Sequence, residues 1–246
     1  MDSEPPVKVE GLRKSFARNV VLNGISFEVE AARILTVLGR SGTGKSVLLR
    51  LLIGLEKPDA GSICLDGQEI TKLPRQELNE TRKKVGFLFQ QAALYDSMTI
   101  AENVAFPLRR HTRLSESELT GRVKELLANV GLDGDLNKMP SEISGGMRKR
   151  VGLARALALE PKIVMFDEPT AGLDPITAAE IGKLILDLRD RHGITSIVVT
   201  HDLHSARSIS DRMVLLHEGD ILVQGSFDDL SKSKDQFVAQ FLKDAA

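Results

Sequence analysis

Cysteine is nearly absent: Cys64 is the single one in 246 residues. Such a chain has no disulfide framework and no CxxC metal site, and a reducing compartment suits it. A surplus of one charge is also missing. Lys and Arg number 33 against 34 Asp and Glu, which removes any bulk electrostatic argument for binding nucleic acid. No apolar run approaches the roughly 18–20 residues that span a bilayer. The longest, around Val47–Leu55, is broken by Arg50. The opening MDSEPPVKVE carries neither a basic n-region nor an apolar h-region, so no secretory signal is expected there. Work at a membrane is therefore expected to go through a partner. With 20 Gly and 9 Pro the chain is not fibrous or low-complexity, and no internal repeat or Pro/Ser linker interrupts it. What remains is an ordinary globular composition, 42% apolar and 27% charged, long enough for one or two domains with a large core.

Ile34–Leu38 is a short, nearly continuous apolar run that reads as a strand covered on both faces, and Ile163–Phe166 and Ile194–Thr200 read as further buried strands, with Val85–Phe89 similar. Val7–Glu10 alternates weakly and reads as an edge strand, and Leu22–Glu30 as a strand after a turn. Short strands are expected over Gly61–Ile70 around the Asp66–Gly67 turn, and a closing hairpin over Met213–Leu216 and Asp220–Gln224. Helices are expected over Val47–Leu55, Leu114–Val130, Met147–Leu159 and Pro175–Arg191. Buried strands alternating with helices predict an α/β fold with a parallel sheet, into which a helix-rich middle, about residues 91–160, is inserted. Ligands in such sheets bind at the carboxyl ends of strands. A glycine loop at Gly39, the pair Asp167–Glu168 and His201 all follow strands.

Gly39-Arg40-Ser41-Gly42-Thr43-Gly44-Lys45-Ser46 fits GxxxxGK[ST] between a strand and a helix. Glycines let the loop wrap with its N–H groups inward, and the following helix adds a positive end. Lys45 is expected to neutralise β- and γ-phosphates, and the Ser46 hydroxyl to be a hard ligand for Mg2+. The plain alternative is a glycine-rich turn with a surface lysine.

Asp167 and Glu168 follow four apolar residues and precede Pro169. Asp167 is expected to hold Mg2+ and Glu168 to orient or deprotonate an attacking water. His201, 33 residues past Glu168, ends the next apolar strand and is expected at the γ-phosphate. His111, His192, His204 and His217 show no metal-ligand spacing and read as surface residues. Gln90 follows a buried strand, where its amide oxygen suits Mg2+ or water. With Gln91 adjacent, a solvated glutamine is the alternative. Ser144-Gly145-Gly146 precedes a helix and forms a second anion site by its free N–H groups and the helix dipole; a serine N-cap with flexible glycines is the plain reading.

In order, GRSGTGKS, Gln90, ISGGM (143–147), IVMFDEP (163–169), AGLD (171–174) and His201 resemble the motifs of an ATP-binding-cassette (ABC) ATPase. They are similar to its Walker A, Q-loop, signature, Walker B, D-loop and switch histidine. The resemblance covers residues 7–241. It implies a P-loop NTPase (RecA-like) core sheet over residues 7–90 and 160–227, with a small antiparallel β subdomain. It also implies a helical subdomain over 91–159 and a helical tail over 228–246. Phe16 stands where the family stacks an aromatic ring, commonly tyrosine, on adenine. Ile143 and Met147 depart from the commoner LSGGQ, while Ser144-Gly145-Gly146 is intact. The stretches 139–161 and 89–108 look most like ATPases of Mla/Mce phospholipid transport systems.

The resemblance implies ATP and Mg2+ as ligands, and two copies paired head-to-tail. Glu168 and His201 then act in cis, and Ser144, Gly145, Gly146 and Asp174 in trans. It further implies an integral membrane permease as partner, lipid-binding accessory subunits, no nucleic acid, and a peripheral place on the cytoplasmic side of the inner membrane. The region after Gln90, with Tyr95 and Phe106, would receive a permease helix; for Phe106 simple core packing is the alternative. Phe237, Val238, Phe241 and Leu242 recur at one-turn spacing, so the tail is expected to pack on its own protomer, with a dimer contact as the other reading. Two other functions compete. A soluble ABC-type ATPase of complex assembly fits the same motifs. A DNA-maintenance member would place a long coiled coil between Lys45 and Asp167, which lie 122 residues apart without sustained heptads. A P-loop small-molecule kinase would leave the signature segment idle.

Overall fold

The computed structural model describes residues 4–134 and 136–244; the last two residues of the expected tail lie outside the described residues. The chain opens with β1 (Val7–Phe16), β2 (Asn19–Val29) and β3 (Ile34–Leu38), then α1 (Lys45–Leu52), β4 (Ala60–Leu65), β5 (Gln68–Glu69), α2 (Arg75–Arg82) and β6 (Val85–Leu88). Three helices follow, α3 (Ile100–His111), α4 (Glu116–Ala128) and α5 (Gly145–Leu157). The chain then returns through β7 (Ile163–Asp167), α6 (Pro175–His192), β8 (Thr195–Thr200), α7 (Leu203–Ile209), β9 (Arg212–His217) and β10 (Asp220–Gly225). It ends in α8 (Phe227–Ser231) and α9 (Gln236–Asp244).

The central sheet has the order β10-β9-β3-β8-β7-β6. All its neighbours are parallel except β10 on β9. β3 and β8 are buried at every position because packed elements cover both faces. The register sets Leu38 beside Thr200 and Asp167 beside Val199, so the carboxyl ends of β3, β8 and β7 lie side by side. That alignment brings the glycine loop, the acidic pair and His201 to one sheet edge.

A second, antiparallel sheet has the order β2-β1-β4-β5. The edge-strand expectation for Val7–Glu10 is corrected here: β1 is ten residues long and pairs with β2 on one side and β4 on the other. The alternation looked weak because the pairing slips between Val9 and Leu12. That irregularity shifts the inward phase, so Val7, Val9 and Leu12 are all buried.

Helices α3, α4 and α5 share one apolar cluster, including Val104, Leu108, Leu119, Val123, Leu127, Val151 and Leu153. Capping boxes start α3 (Thr99, Glu102) and α4 (Ser115, Glu118). The fully buried Asn103 accepts from Tyr95 N at 2.8 Å and donates to the carbonyls of Tyr95, Met98 and Thr99. Arg155 grips the carbonyls of Ala92 and Ala93 at 2.6 and 2.7 Å. These two polar clamps shape the segment that follows Gln90. The tail packs on its own chain: Val238 and Phe241 are buried in a cluster with Leu38, Leu203 and Leu215. His217 differs from the surface reading, since Phe237 stacks on its ring at 3.6 Å.

Candidate active site

The glycine loop runs from buried Gly39 to the first turn of α1. Gly44 must be glycine: its φ is +97°, and a Cβ there would lie 2.7 Å from Val21 Cγ1. Lys45 is buried at 6% exposure. Its ammonium donates to the carbonyls of Gly39 (2.8 Å) and Arg40 (3.1 Å) and lies 3.7 Å from Glu168 Oε1. Burial pulls the Lys45 ammonium below its ordinary pKa, against the pull of the Glu168 carboxylate. The Thr43 hydroxyl donates to Arg40 O, while Arg40, Ser41 and Gly42 face outward.

Ser46 Oγ donates to Asp167 Oδ1 at 2.9 Å. Burial raises the Asp167 carboxyl above its ordinary pKa, and the Ser46 hydroxyl works against that shift. A hydroxyl and a carboxylate are hard oxygen donors of the kind Mg2+ takes. Among the described residues no cluster of three or more His, Cys, Asp or Glu could hold a metal ion, so an ion here would need phosphate and water oxygens as further ligands.

Glu168 is buried with its backbone at φ +47°. Its carboxylate accepts from Thr200 Oγ1 at 2.9 Å, and His201 Nδ1 lies 3.0 Å from both of its oxygens. Its carbonyl accepts from Ala171 N at 3.2 Å and from Lys149 Nζ at 2.8 Å. Lys149 is buried in α5, and burial lowers its pKa to about 8 against the pull of Asp167 and Glu168. Sequence reasoning missed Lys149, because a lysine among MRKR on a helix reads as solvated. Lys45, Ser46, Asp167, Glu168 and His201 are thus joined by direct contacts.

The other candidates lie apart from that group. Gln90 is exposed and lines a cleft of about 570 Å3 with Gly145, Lys149, Ala171 and Gly172; the Ser46–Asp167 pair forms without it. Ser144 caps α5, accepting from Met147 N at 3.2 Å. A Cβ on Gly146 would fall 2.4 Å from Thr177 Cγ2, whereas Gly145 has room beside Leu173. The departures Ile143 and Met147 turn into the apolar cluster of the three helices. Asp174 caps α6, accepting from Ile176 N, Thr177 N and the Thr177 hydroxyl, which hold its carboxyl below the usual range. Phe16 is 42% exposed with the Lys14 ammonium 5.0 Å above its ring. Tyr95 and Phe106 pack at 5.0 Å in a groove shared with Phe87, Phe89 and Arg155. Among the described residues no helix is long and apolar enough to cross a membrane.

A family model described as ABC transporter matches residues 22–171. A Mycobacterium tuberculosis protein named probable ribonucleotide transport ATP-binding protein mkl is 45% identical over 236 residues, covering 96% of this chain. The chain spans 66% of that relative's length. The intermembrane phospholipid transport system ATP-binding protein MlaF of Haemophilus influenzae is 41% identical over 237 residues, covering 96% of this chain and 90% of the relative. Among solved structures, the ATP-binding cassette MJ0796, a dimer in a post-hydrolysis state bound to ADP and Pi, is similar with a TM-score of 0.84. It shares 32% identity, over 89% of this chain and 98% of the other.

Proposed function

Since the chain belongs to the ABC transporter ATP-binding family, we propose that it is the ATP-hydrolysing subunit of a membrane transporter that moves phospholipids. The observation that carries the ATPase reading is the cluster at the sheet edge. Glu168 is buried there 3.7 Å from the Lys45 ammonium and 3.0 Å from His201, next to the Ser46–Asp167 pair. The loop amides and Lys45 bind the β- and γ-phosphates of ATP, and Phe16 stacks on the adenine. Glu168 takes a proton from water as the water oxygen bonds to the γ-phosphorus. The bond to the β–γ bridging oxygen breaks, and ADP and phosphate result. His201 holds Glu168 in line and meets the γ-phosphate. Ser46 and Asp167 would hold Mg2+, with the Gln90 amide oxygen as a mobile donor; the ion supplies charge neutralisation on the phosphates.

Ser144, Gly145, Gly146 and Asp174 serve the nucleotide of a second copy, head-to-tail. The similarity to a cassette solved as a dimer supports this pairing. Each triphosphate then bridges two chains, and hydrolysis separates them by removing bridging charge. The groove with Tyr95 and Phe106 receives a cytoplasmic helix of a permease, which holds the chain on the inner face of the membrane. The phospholipid assignment is supported by the MlaF relative, of which 90% is covered. The test is a detergent pull-down of the full chain with partner identification and bound-lipid analysis. A multi-span partner carrying phospholipid is the expected result. A complex with a multi-span partner in which this chain's ATPase activity rises with ribonucleotide and not with lipid would overturn the cargo. Recovery of soluble partners alone would replace transport with complex assembly.

A further inference from the structure

A lysine amine withdrawn from water is rare, because burial penalises its charge unless a partner compensates. Lys149 is 5% exposed, and its ammonium donates to the carbonyl of Glu168 at 2.8 Å. The acceptor is unusual as well. Glu168 sits in the left-handed region, φ +47°, where a residue with a side chain is strained and needs outside contacts to stay. The same residue's N–H donates to Val199 O at 2.9 Å, and its carboxylate is held by Thr200 and His201. Backbone and carboxylate are therefore fixed from β8 on one side and from α5 on the other. Lys149 lies about one turn beyond Gly145 and Gly146 on the same helix.

We infer that Lys149 is a positioning residue for Glu168: its hydrogen bond to the Glu168 carbonyl locks the left-handed backbone and so aims the carboxylate. This rests on the reading of Glu168 as the base. It adds a link between the two kinds of site in one chain. The N-terminus of α5 meets the other copy's triphosphate, and the side chain that steadies this copy's base hangs from the same helix. A shift of α5 on nucleotide contact is passed directly to Glu168.

The test uses the full chain with Mg2+ and ATP. Lys149→Met keeps the length and packing and removes the donor. Its kcat is expected to fall about tenfold, the scale of one charge-assisted hydrogen bond, while KM stays within about twofold. Lys149→Gln restores a neutral donor and should recover to about threefold below the parent. Glu168→Gln alone should nearly abolish turnover. In that background Lys149→Met should cost nothing further, because both changes act through one group. Parental kcat in Lys149→Met, a raised KM at unchanged kcat, or an equal loss in both backgrounds overturns the assignment. Parental turnover in Glu168→Gln instead overturns the reading of the base, which is a separate failure. Should Lys149→Met not fold, by thermal melting, Lys149→Gln carries the test. Its threefold loss must vanish in the Glu168→Gln background, and parental turnover or the same loss in both overturns the inference.

Discussion

The two places proposed here for an anion are built differently. Around Gly39–Ser46 the chain brings together a buried ammonium, two carboxylates and a hydroxyl, with Ser46 bonded to Asp167 and Lys45 close to Glu168. At Ser144–Gly146 there are an N-capping hydroxyl and a helix N-terminus, with no carboxylate joined to them by a hydrogen bond among the described residues. The neighbouring Arg148 is spent on the carbonyls of Pro140 and Ile143. The first place has charge and chemistry; the second has oriented amides and one hydroxyl. Such amides stabilise a phosphate delivered to them and cannot hydrolyse it. The contrast fits a pocket assembled from the strong half of one chain and the weak half of another.

The contrast breaks hardest at Glu168. Glu168→Gln should cut turnover by about 10²–10⁴-fold, the range of a lost general base, while ATP still binds. Size-exclusion chromatography with ATP should then show an accumulating dimer, and parental turnover would remove Glu168 from its role. Next comes Lys45→Ala, expected to weaken ATP binding by about 10–100-fold through loss of charge-assisted contacts. Titration with a fluorescent nucleotide reads this on the separated chain. Gly146→Ala drives a methyl into Thr177 and should cost about 1–3 kcal/mol of stability in thermal unfolding. Smallest is Ser144→Ala, about 1 kcal/mol for the lost cap. Its ATP affinity as a single chain should match the parent while ATP-driven dimerisation weakens. A loss of single-chain affinity in Ser144→Ala would erase the distinction between the two places.

Legibility followed burial. Ile34–Leu38 and Ile163–Phe166 were readable because strands covered on both faces need nearly continuous apolar runs, broken here only by Thr36. The sheet edge followed, since three motifs each ended such a run. The residues RQELNETR of α2 carry no apolar stripe, and only Thr81 among them is buried, so no periodicity marked the helix. In α3 the internal Pro107 masks a twelve-residue helix held by a capping box and the Asn103 clamp. Lys149 was hidden for another reason: its worth lies in a carbonyl 19 residues away, and no local pattern records a contact between side chain and distant backbone.

The left-handed backbone of Glu168 also bears on how this position tolerates change. A non-glycine residue held there costs about 1–3 kcal/mol, a strain that glycine removes and asparagine, which tolerates the left-handed region, lessens. A library of all substitutions at 168, sorted for abundance in cells, should enrich both; sorted for nucleotide turnover, it should keep glutamate alone. Thermal robustness and activity pull this one position in opposite directions.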